Sequence, residues 1–118
     1  MEQYKFQKLD VYQLALRYVD AVYGLSEKLP QRERFNLSSQ VERAATSIVL
    51  NIAEGSTGQS NPEQRKFLGY AFRSYLETIA CLDLIETCGY LPARELLTLR
   101  AQGHQLFIKL AALRNALR

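Results

Sequence analysis

The sequence of 118 residues lacks tryptophan and has little histidine, cysteine, glycine or proline. Six glycines and three prolines are too few for a disordered low-complexity chain, a collagen-like repeat or a turn-dense β-sandwich. One histidine, His104, and two thiols, Cys81 and Cys88, make a zinc site, a di-iron site or a Ser-His-Asp triad hard to assemble. We therefore expect a protein that is not an enzyme and has no catalytic, cofactor-binding or metal-binding residues.

Long hydrophobic runs are absent as well. No apolar stretch approaches the ~18 residues that a membrane span requires, and the polar start at residues 1–5 does not resemble a secretory signal. The two cysteines lie on one predicted helix, about 10 Å apart along its axis, which is beyond the reach of a disulfide. We therefore expect a cytoplasmic protein with reduced thiols and no membrane partner.

What the sequence does contain is a repeated amphipathic pattern. In four segments hydrophobic residues recur at alternating spacings of three and four, and Pro30 and Gly55 mark the ends of the first two. Asp10 is the expected N-cap of the first helix, and Asn61 is that of the third. Four such helices with short connections predict an all-α, up-down-up-down antiparallel four-helix bundle, with residues 1–118 as one domain.

The last predicted helix, which follows Pro92, carries two apolar faces. Its leucines between residues 96 and 117 form a heptad seam for the bundle core. The second face is the predicted oligomer interface, and it consists of Leu97, Ala101, His104, Ile108 and Ala111. One helix cannot direct both faces into one core, so the pattern favours self-association. The alternative is that this helix is the central one of the bundle.

Positive charge is concentrated near the C-terminal end. Fifteen lysines and arginines against twelve acidic residues give a net charge of +3. Residues 1–93 hold ten basic and eleven acidic side chains, a net −1, whereas residues 94–118 hold five basic and one acidic, a net +4. The predicted nucleic-acid-binding residues are the five cations and one aromatic of this segment: Arg94, Arg100, Phe107, Lys109, Arg114 and Arg118. The alternative is solvated charge on an outer helix face.

Helix two also presents a polar stripe. Its members, taken with one acidic residue of helix three, are Arg43, Ser47, Asn51, Glu54 and Glu77. A comparable row on helix three contains Lys66, Tyr70 and Arg73. Such rows can form a polar site, but we favour hydrogen-bonded packing between the two helices, because buried polar groups must be paired. The specific contact expected is an ion pair between Arg43 and Glu77.

The stretch at residues 40–55, QVERAATSIVLNIAEG, resembles the signature of a bacterial protein family. These are the four-helix-bundle proteins encoded in intervening sequences of large-subunit ribosomal RNA genes. Residues 6–15 and 74–77 support the resemblance, which covers nearly the whole chain. The sequence departs from the family pattern at Tyr12, where tryptophan is common, and at Arg73, where a small residue commonly precedes the serine.

The resemblance implies a four-helix bundle, and members of the wider superfamily look like homopentamers arranged as a barrel. More distantly, the chain is similar to the accessory variability determinant of diversity-generating retroelements, a basic pentamer that binds nucleic acid and its reverse transcriptase. The number five therefore comes from the resemblance, whereas the periodicity by itself indicates only a partner. Five copies of a +3 chain would carry +15, which can attract a polyanion.

Two functional hypotheses follow. The first is a non-enzymatic homo-oligomeric scaffold that binds nucleic acid, and RNA in particular, through its basic surface with little sequence specificity. The second is a protein-interaction adaptor whose basic surface docks on an acidic protein partner. Neither hypothesis involves a cofactor.

Overall fold

The computed structural model describes residues 3–118, and this part of the chain contains four α-helices and no β-strand. The helices are α1, Asp10–Ser26; α2, Leu37–Gly55; α3, Asn61–Thr87; and α4, Ala93–Ala116. Single turns of 3-10 helix precede the first two of them, at Lys5–Lys8 and Gln31–Glu33. Residues 1 and 2, which the single-domain prediction includes, lie outside the described part. The prediction of an all-α fold is confirmed.

The four helices form a square in which each packs against the helix before and after it in the chain, and α4 closes the square against α1. Within the described residues, Cα atoms of diagonally opposite helices do not come within 8 Å of each other, so opposite helices meet only through core side chains. The molecule measures 44 × 29 × 21 Å. Because the connections are short, neighbouring helices are antiparallel, as predicted for a four-helix bundle.

Two connections meet at one end of the bundle. The Tyr90 hydroxyl, between α3 and α4, donates to Oε2 of Glu33, between α1 and α2, at 2.6 Å. Glu33 also accepts from Nδ2 of Asn36 at 2.9 Å. The hydrogen bond from Tyr90 is the main cause, and that from Asn36 the second, of a pKa of Glu33 that lies below its ordinary value. The same bond to Glu33 raises the pKa of Tyr90.

A pair of tyrosines occupies the centre of the core. Tyr18 of α1 is fully buried, and its ring centroid lies 5.9 Å from that of Tyr75 of α3. The Thr78 hydroxyl donates to the Tyr75 carbonyl at 2.6 Å, so the Tyr18 hydroxyl, 2.8 Å away, donates to Thr78. Burial raises the pKa of Tyr18 to about 12. Gly103 of α4 faces both rings, and an added Cβ would lie 2.9 Å from Cε1 of each.

Two helix starts differ from the sequence prediction by one residue. Ser60, not Asn61, is the N-cap of α3, because its side-chain oxygen accepts the backbone N–H three residues later at 3.4 Å. Leu9, not Asp10, is the N-cap of α1, because its carbonyl accepts the N–H of Gln13 at 3.2 Å. Both expected caps therefore lie inside their helices, and the faces that the helices bury are unchanged.

Candidate assembly and nucleic-acid surfaces

The second apolar face of α4 lies on the outside of the bundle. Leu97 and Ile108 keep 63% and 46% of their surface exposed. Ala101 and His104 are also exposed, and Ala111 is half-buried. Because α4 packs against α1 and α3 while its leucine seam fills the core, the alternative of a central helix is wrong. No helix of the described chain covers this face.

One exposed leucine on α3 extends the apolar surface beyond α4. Side-chain contacts set the register of the two helices, since Asp83 meets Arg100 near one end and Phe72 meets Phe107 farther along. On α3, Leu76 and Leu84 are 53% and 52% exposed. The first lies one turn after Phe72 and so flanks the outer side of α4, whereas the second points about 100° around the helix from Asp83 and away from that contact.

Two of the six predicted nucleic-acid-binding residues are engaged within the protomer. Nη2 of Arg100 lies 3.0 Å from Oδ1 of Asp83 and 3.5 Å from Oε1 of Glu86. Phe107 is half-buried, with its ring centroid 5.0 Å from that of Phe72. These contacts leave the two side chains little capacity for a phosphate or a base, so the other four define the basic surface of α4.

Those four residues do not form one stripe. Arg94, Lys109 and Arg118 are exposed, and none of them forms an ion pair within residues 3–118. Lys109 borders a shallow apolar pocket that also includes residues 9–11, on the α1 side of α4. Arg114 lies on the opposite side and faces α3. The packing of α4 between two neighbours therefore divides its cations between two surfaces.

Arg114 borders a groove of about 490 Å³ between α3 and α4. Its guanidinium carbon lies 5.8 Å from the ring centroid of Phe72, and its Nη2 would lie 3.4 Å from a Cβ at Gly69. Nη1 of Arg65 donates to the Arg114 carbonyl at 2.5 Å. This bond ties the last turn of α4 to α3 and so places the Arg114 side chain in the groove.

Three polar residues of α3 line the same groove, namely Lys66, Tyr70 and Arg73. Tyr70 is 39% exposed, and its ring is perpendicular to that of Phe67 at 5.6 Å. Lys66 pairs with Glu63 at 2.8 Å, which raises the pKa of Lys66, whereas Arg73 is exposed and forms no ion pair in the described part. Sequence reasoning missed this site because it assigned the row to packing against α2. The sequence did contain an indication of the site, because Lys66, Tyr70 and Arg73 place a cation, an aromatic ring and a second cation at i, i+4 and i+7 on one helix face.

The polar stripe of α2 forms a smaller network than predicted. Ser74 of α3 donates through Oγ to Oγ of Ser47 at 2.9 Å. Nδ2 of Asn51 donates to the same Oγ at 3.1 Å and to the Ser47 carbonyl at 2.9 Å. All three residues are half-buried, so the network links α2 to α3 by hydrogen bonds between neutral groups.

The charged members of the stripe lie outside this network. The expected ion pair between Arg43 and Glu77 is wrong for residues 3–118, because Oε2 of Glu77 accepts from Nε2 of Gln40 at 2.6 Å and Arg43 is exposed. Glu54 is exposed at the end of α2, and its backbone carbonyl accepts a hydrogen bond from Gln59. Gln40, one turn before Arg43 on α2, therefore contacts Glu77, which was the partner predicted for Arg43.

The thiols and the remaining titratable groups are dispersed. Cys81 is buried, which raises its pKa, and Cys88 is exposed; both are free thiols. In the described part of the chain, no three His, Cys, Asp or Glu side chains converge in a way that could hold a metal ion. Over the same residues, no helix has the length and apolar character needed to cross a membrane.

Comparison with known proteins identifies the family. Residues 7–112 match the family described as 23S rRNA-intervening sequence protein. A comparison with curated proteins finds no match. Among solved structures, a protein of unknown function from the S23 ribosomal protein family of Bacteroides thetaiotaomicron superposes with a TM-score of 0.81 at 23% identity, over 89% of this chain and 95% of that one. The fold is shared with that structure, and by its match over nearly the whole sequence the chain belongs to the 23S rRNA-intervening sequence protein family.

Proposed function

We propose that the protein is a non-enzymatic scaffold that assembles with further copies of itself in the cytoplasm and that the assembly binds nucleic acid. One observation carries the proposal: Leu97 and Ile108 expose an apolar face on α4 that no helix within residues 3–118 covers. Contiguous apolar patches on soluble proteins mark interaction surfaces. A second copy of the chain is always present at matching concentration, and most soluble oligomers are symmetric homo-oligomers.

The composition of this face suits helix packing between subunits. Leu97 and Ile108 supply bulk near its two ends, while Ala101 and Ala111 between and beside them allow a close approach of another backbone. Leu76 of α3 widens the apolar area. A ring of five subunits, the number that the family resemblance implies, would need a heterologous interface, in which this face meets a different face of the next subunit.

Sedimentation velocity tests the assembly. We expect the wild-type protein to sediment at a multiple of the 13.5 kDa protomer and the variant Leu97→Glu/Ile108→Glu to sediment as a monomer, because each carboxylate would be buried without a partner. The control is Thr98→Glu/Ala116→Glu, which adds two carboxylates to exposed positions of the same helix, about 80–100° around it from Leu97 and Ile108. A wild-type monomer at micromolar concentration, or a face variant that assembles like the control, would refute self-association through α4.

Exposed and unpaired cations support nucleic acid as the ligand of the assembly. Arg94, Lys109 and Arg118 are exposed and form no ion pairs within residues 3–118. They lie in the segment that carries the whole positive excess of the chain. In an assembly these charges repeat around the symmetry axis, and such a repeated field attracts a polyanion without reading its sequence.

Binding of single-stranded oligouridylate as a function of salt tests this ligand. We expect affinity to fall steeply between about 50 and 200 mM salt, and the variant Arg94→Ala/Lys109→Ala/Arg118→Ala to lower the slope of log K against log salt by about 2, since each phosphate contact contributes about 0.7. The matched control removes three exposed cations from α1 and the connection after it: Arg17, Lys28 and Arg34.

Two results would count against nucleic acid. One is the absence of RNA binding at low salt, and the other is an equal loss of slope in both triple variants, which would show that only the total charge matters. Capture of an acidic protein that survives nuclease treatment, together with no RNA binding, would support the adaptor hypothesis instead.

A further inference from the structure

We propose that the groove between α3 and α4 binds a phosphorylated nucleoside, with the base against Tyr70 and the phosphate between Arg73 and Arg114. Such a ligand is either a free nucleotide or one unit of single-stranded RNA. The inference rests on the proposed function only for the second source, and it adds to the α4 cations a site on α3 that can recognise a base.

Tyr70 provides the stacking surface. Its ring is partly exposed at the groove and packs against the perpendicular ring of Phe67, at a centroid distance of 5.6 Å. A tyrosine ring that already packs against a neighbour before the ligand arrives loses less conformational entropy on binding than a ring without contacts. Stacking on an aromatic side chain suits any base, because every base has a π-face.

Arg73 and Arg114 provide the positive charge. Arg73 follows Tyr70 by three residues, so the two side chains are neighbours on the surface of α3. Across the groove, the Arg114 guanidinium lies against Phe72 at 5.8 Å, and no hydrogen-bond acceptor within residues 3–118 serves its buried Nε. Neither arginine forms an ion pair in the described chain, and a guanidinium is well suited to phosphate because it can donate two parallel hydrogen bonds.

The size and charge of the groove fit this ligand. Its volume of about 490 Å³ lies within the ~300–1,000 Å³ typical of small-molecule sites. Three cations line it, and one of them, Lys66, is partly neutralised by Glu63. A larger depression of about 630 Å³ beside the α1–α2 connection has the opposite balance, since Glu27 and Glu42 line it with a single arginine. The α3–α4 groove is therefore the one that attracts a phosphate.

Isothermal titration with three probes tests the site: uridine monophosphate, single-stranded oligouridylate and double-stranded RNA. We expect Tyr70→Ala to weaken binding of the first or second probe by about 5- to 150-fold, the equivalent of one stacked base, and Tyr70→Phe to bind like the wild type. Arg73→Ala should lower the salt slope for oligouridylate by about 0.7. The control is Arg17→Ala, which removes an exposed cation from α1.

The three probes separate the possible sources of the ligand. Binding of the monophosphate that depends on Tyr70 supports a free-nucleotide site, and dependence seen only with the oligonucleotide supports a single-stranded RNA site. The inference is overturned if Tyr70→Ala binds like the wild type, if Arg17→Ala lowers the salt slope as much as Arg73→Ala, or if Tyr70→Ala weakens binding of double-stranded RNA as much as that of single-stranded RNA.

The same experiment distinguishes this inference from the proposed function. Wild-type RNA binding that the α4 triple variant weakens but Tyr70→Ala does not would leave the scaffold proposal standing and remove the groove. Binding of uridine monophosphate that depends on Tyr70, without any RNA binding, would support the groove and contradict the proposal that the assembly binds nucleic acid.

Discussion

Replacing Gly103 with alanine inserts a methyl group between the two central tyrosine rings. The added Cβ would lie 2.9 Å from Cε1 of Tyr18 and 2.9 Å from Cε1 of Tyr75, well inside the roughly 3.5–4.0 Å at which carbon atoms attract. Neither ring has free space, because both are buried and the hydroxyl of Tyr18 is hydrogen-bonded to Thr78. The substitution therefore forces α4 or the rings to move.

Two opposing contributions decide the size of the effect. Alanine gains about 1 kcal/mol over glycine in a helix interior, and overpacking a well-filled core costs roughly 1–3 kcal/mol. At the exposed Gly24 of α1, an added Cβ would meet no heavy atom of the described residues within 4 Å, apart from its chain neighbours and the adjoining helix backbone, so Gly24→Ala receives the helix-forming gain without the clash. The free energy of unfolding of Gly103→Ala should therefore lie about 1–3 kcal/mol below that of Gly24→Ala.

Urea unfolding of both variants at one protein concentration measures this difference, and the fixed concentration keeps any assembly contribution equal. In thermal unfolding, each kcal/mol corresponds to about 4 °C in Tm for a domain of this size. If Gly103→Ala proves as stable as Gly24→Ala, the two rings do not pack against α4 at this position, and the description of the core centre is wrong.

Two further predictions concern the buried hydroxyl pair and the end of the bundle. Thr78→Val removes the acceptor of the buried Tyr18 hydroxyl and should lower the free energy of unfolding by about 1–3 kcal/mol. Thr78→Ser keeps the acceptor and should lower it by less. Equal losses of the two variants in urea unfolding would contradict the role of the hydrogen bond. Because the folded pKa of Glu33 is lowered, its contribution to stability is present above its ordinary value of 4.5 and is lost as pH falls through the folded pKa. Tyr90→Phe removes the main cause of that shift, so the stability of this variant should depend less on pH between the folded pKa of Glu33 and its ordinary value. An unchanged pH dependence would show that the hydrogen bond from Tyr90 does not lower the pKa of Glu33.

The helical fold could be predicted because its determinants are local. Apolar residues at spacings of three and four mark the buried face of each helix, and this periodicity is visible in the sequence without knowledge of any partner. Cap positions were wrong by one residue at Asp10 and Asn61, because neighbouring residues, Leu9 and Ser60, compete for the same role and the sequence does not rank them. The faces were unaffected, since a shifted cap does not rotate a helix.

The candidate sites could be predicted only in part. The outward position of Leu97, Ala101, His104 and Ile108 on α4 could be predicted, because these residues lie on one helix and follow its period. The basic surface was predicted less well, since Arg100 was included in it. Its ion-pair partners are on α3 and contact it across the interface between α3 and α4. The groove that includes Tyr70 and Arg114 was missed because the row on α3 was assigned to packing against α2, and because Arg114, which closes the groove from α4, is distant from that row in sequence.

By itself, the sequence determined that this chain forms four amphipathic helices, that the last has two apolar faces and that the positive excess is C-terminal. Only the tertiary structure decided which polar side chains are available to a partner. Arg100 is paired and Arg94 is exposed, although both belong to one basic segment of one helix. The physical reason is that helix periodicity is a property of neighbouring residues, whereas the ion pairs, aromatic contacts and grooves of a bundle depend on how separate helices are registered against each other.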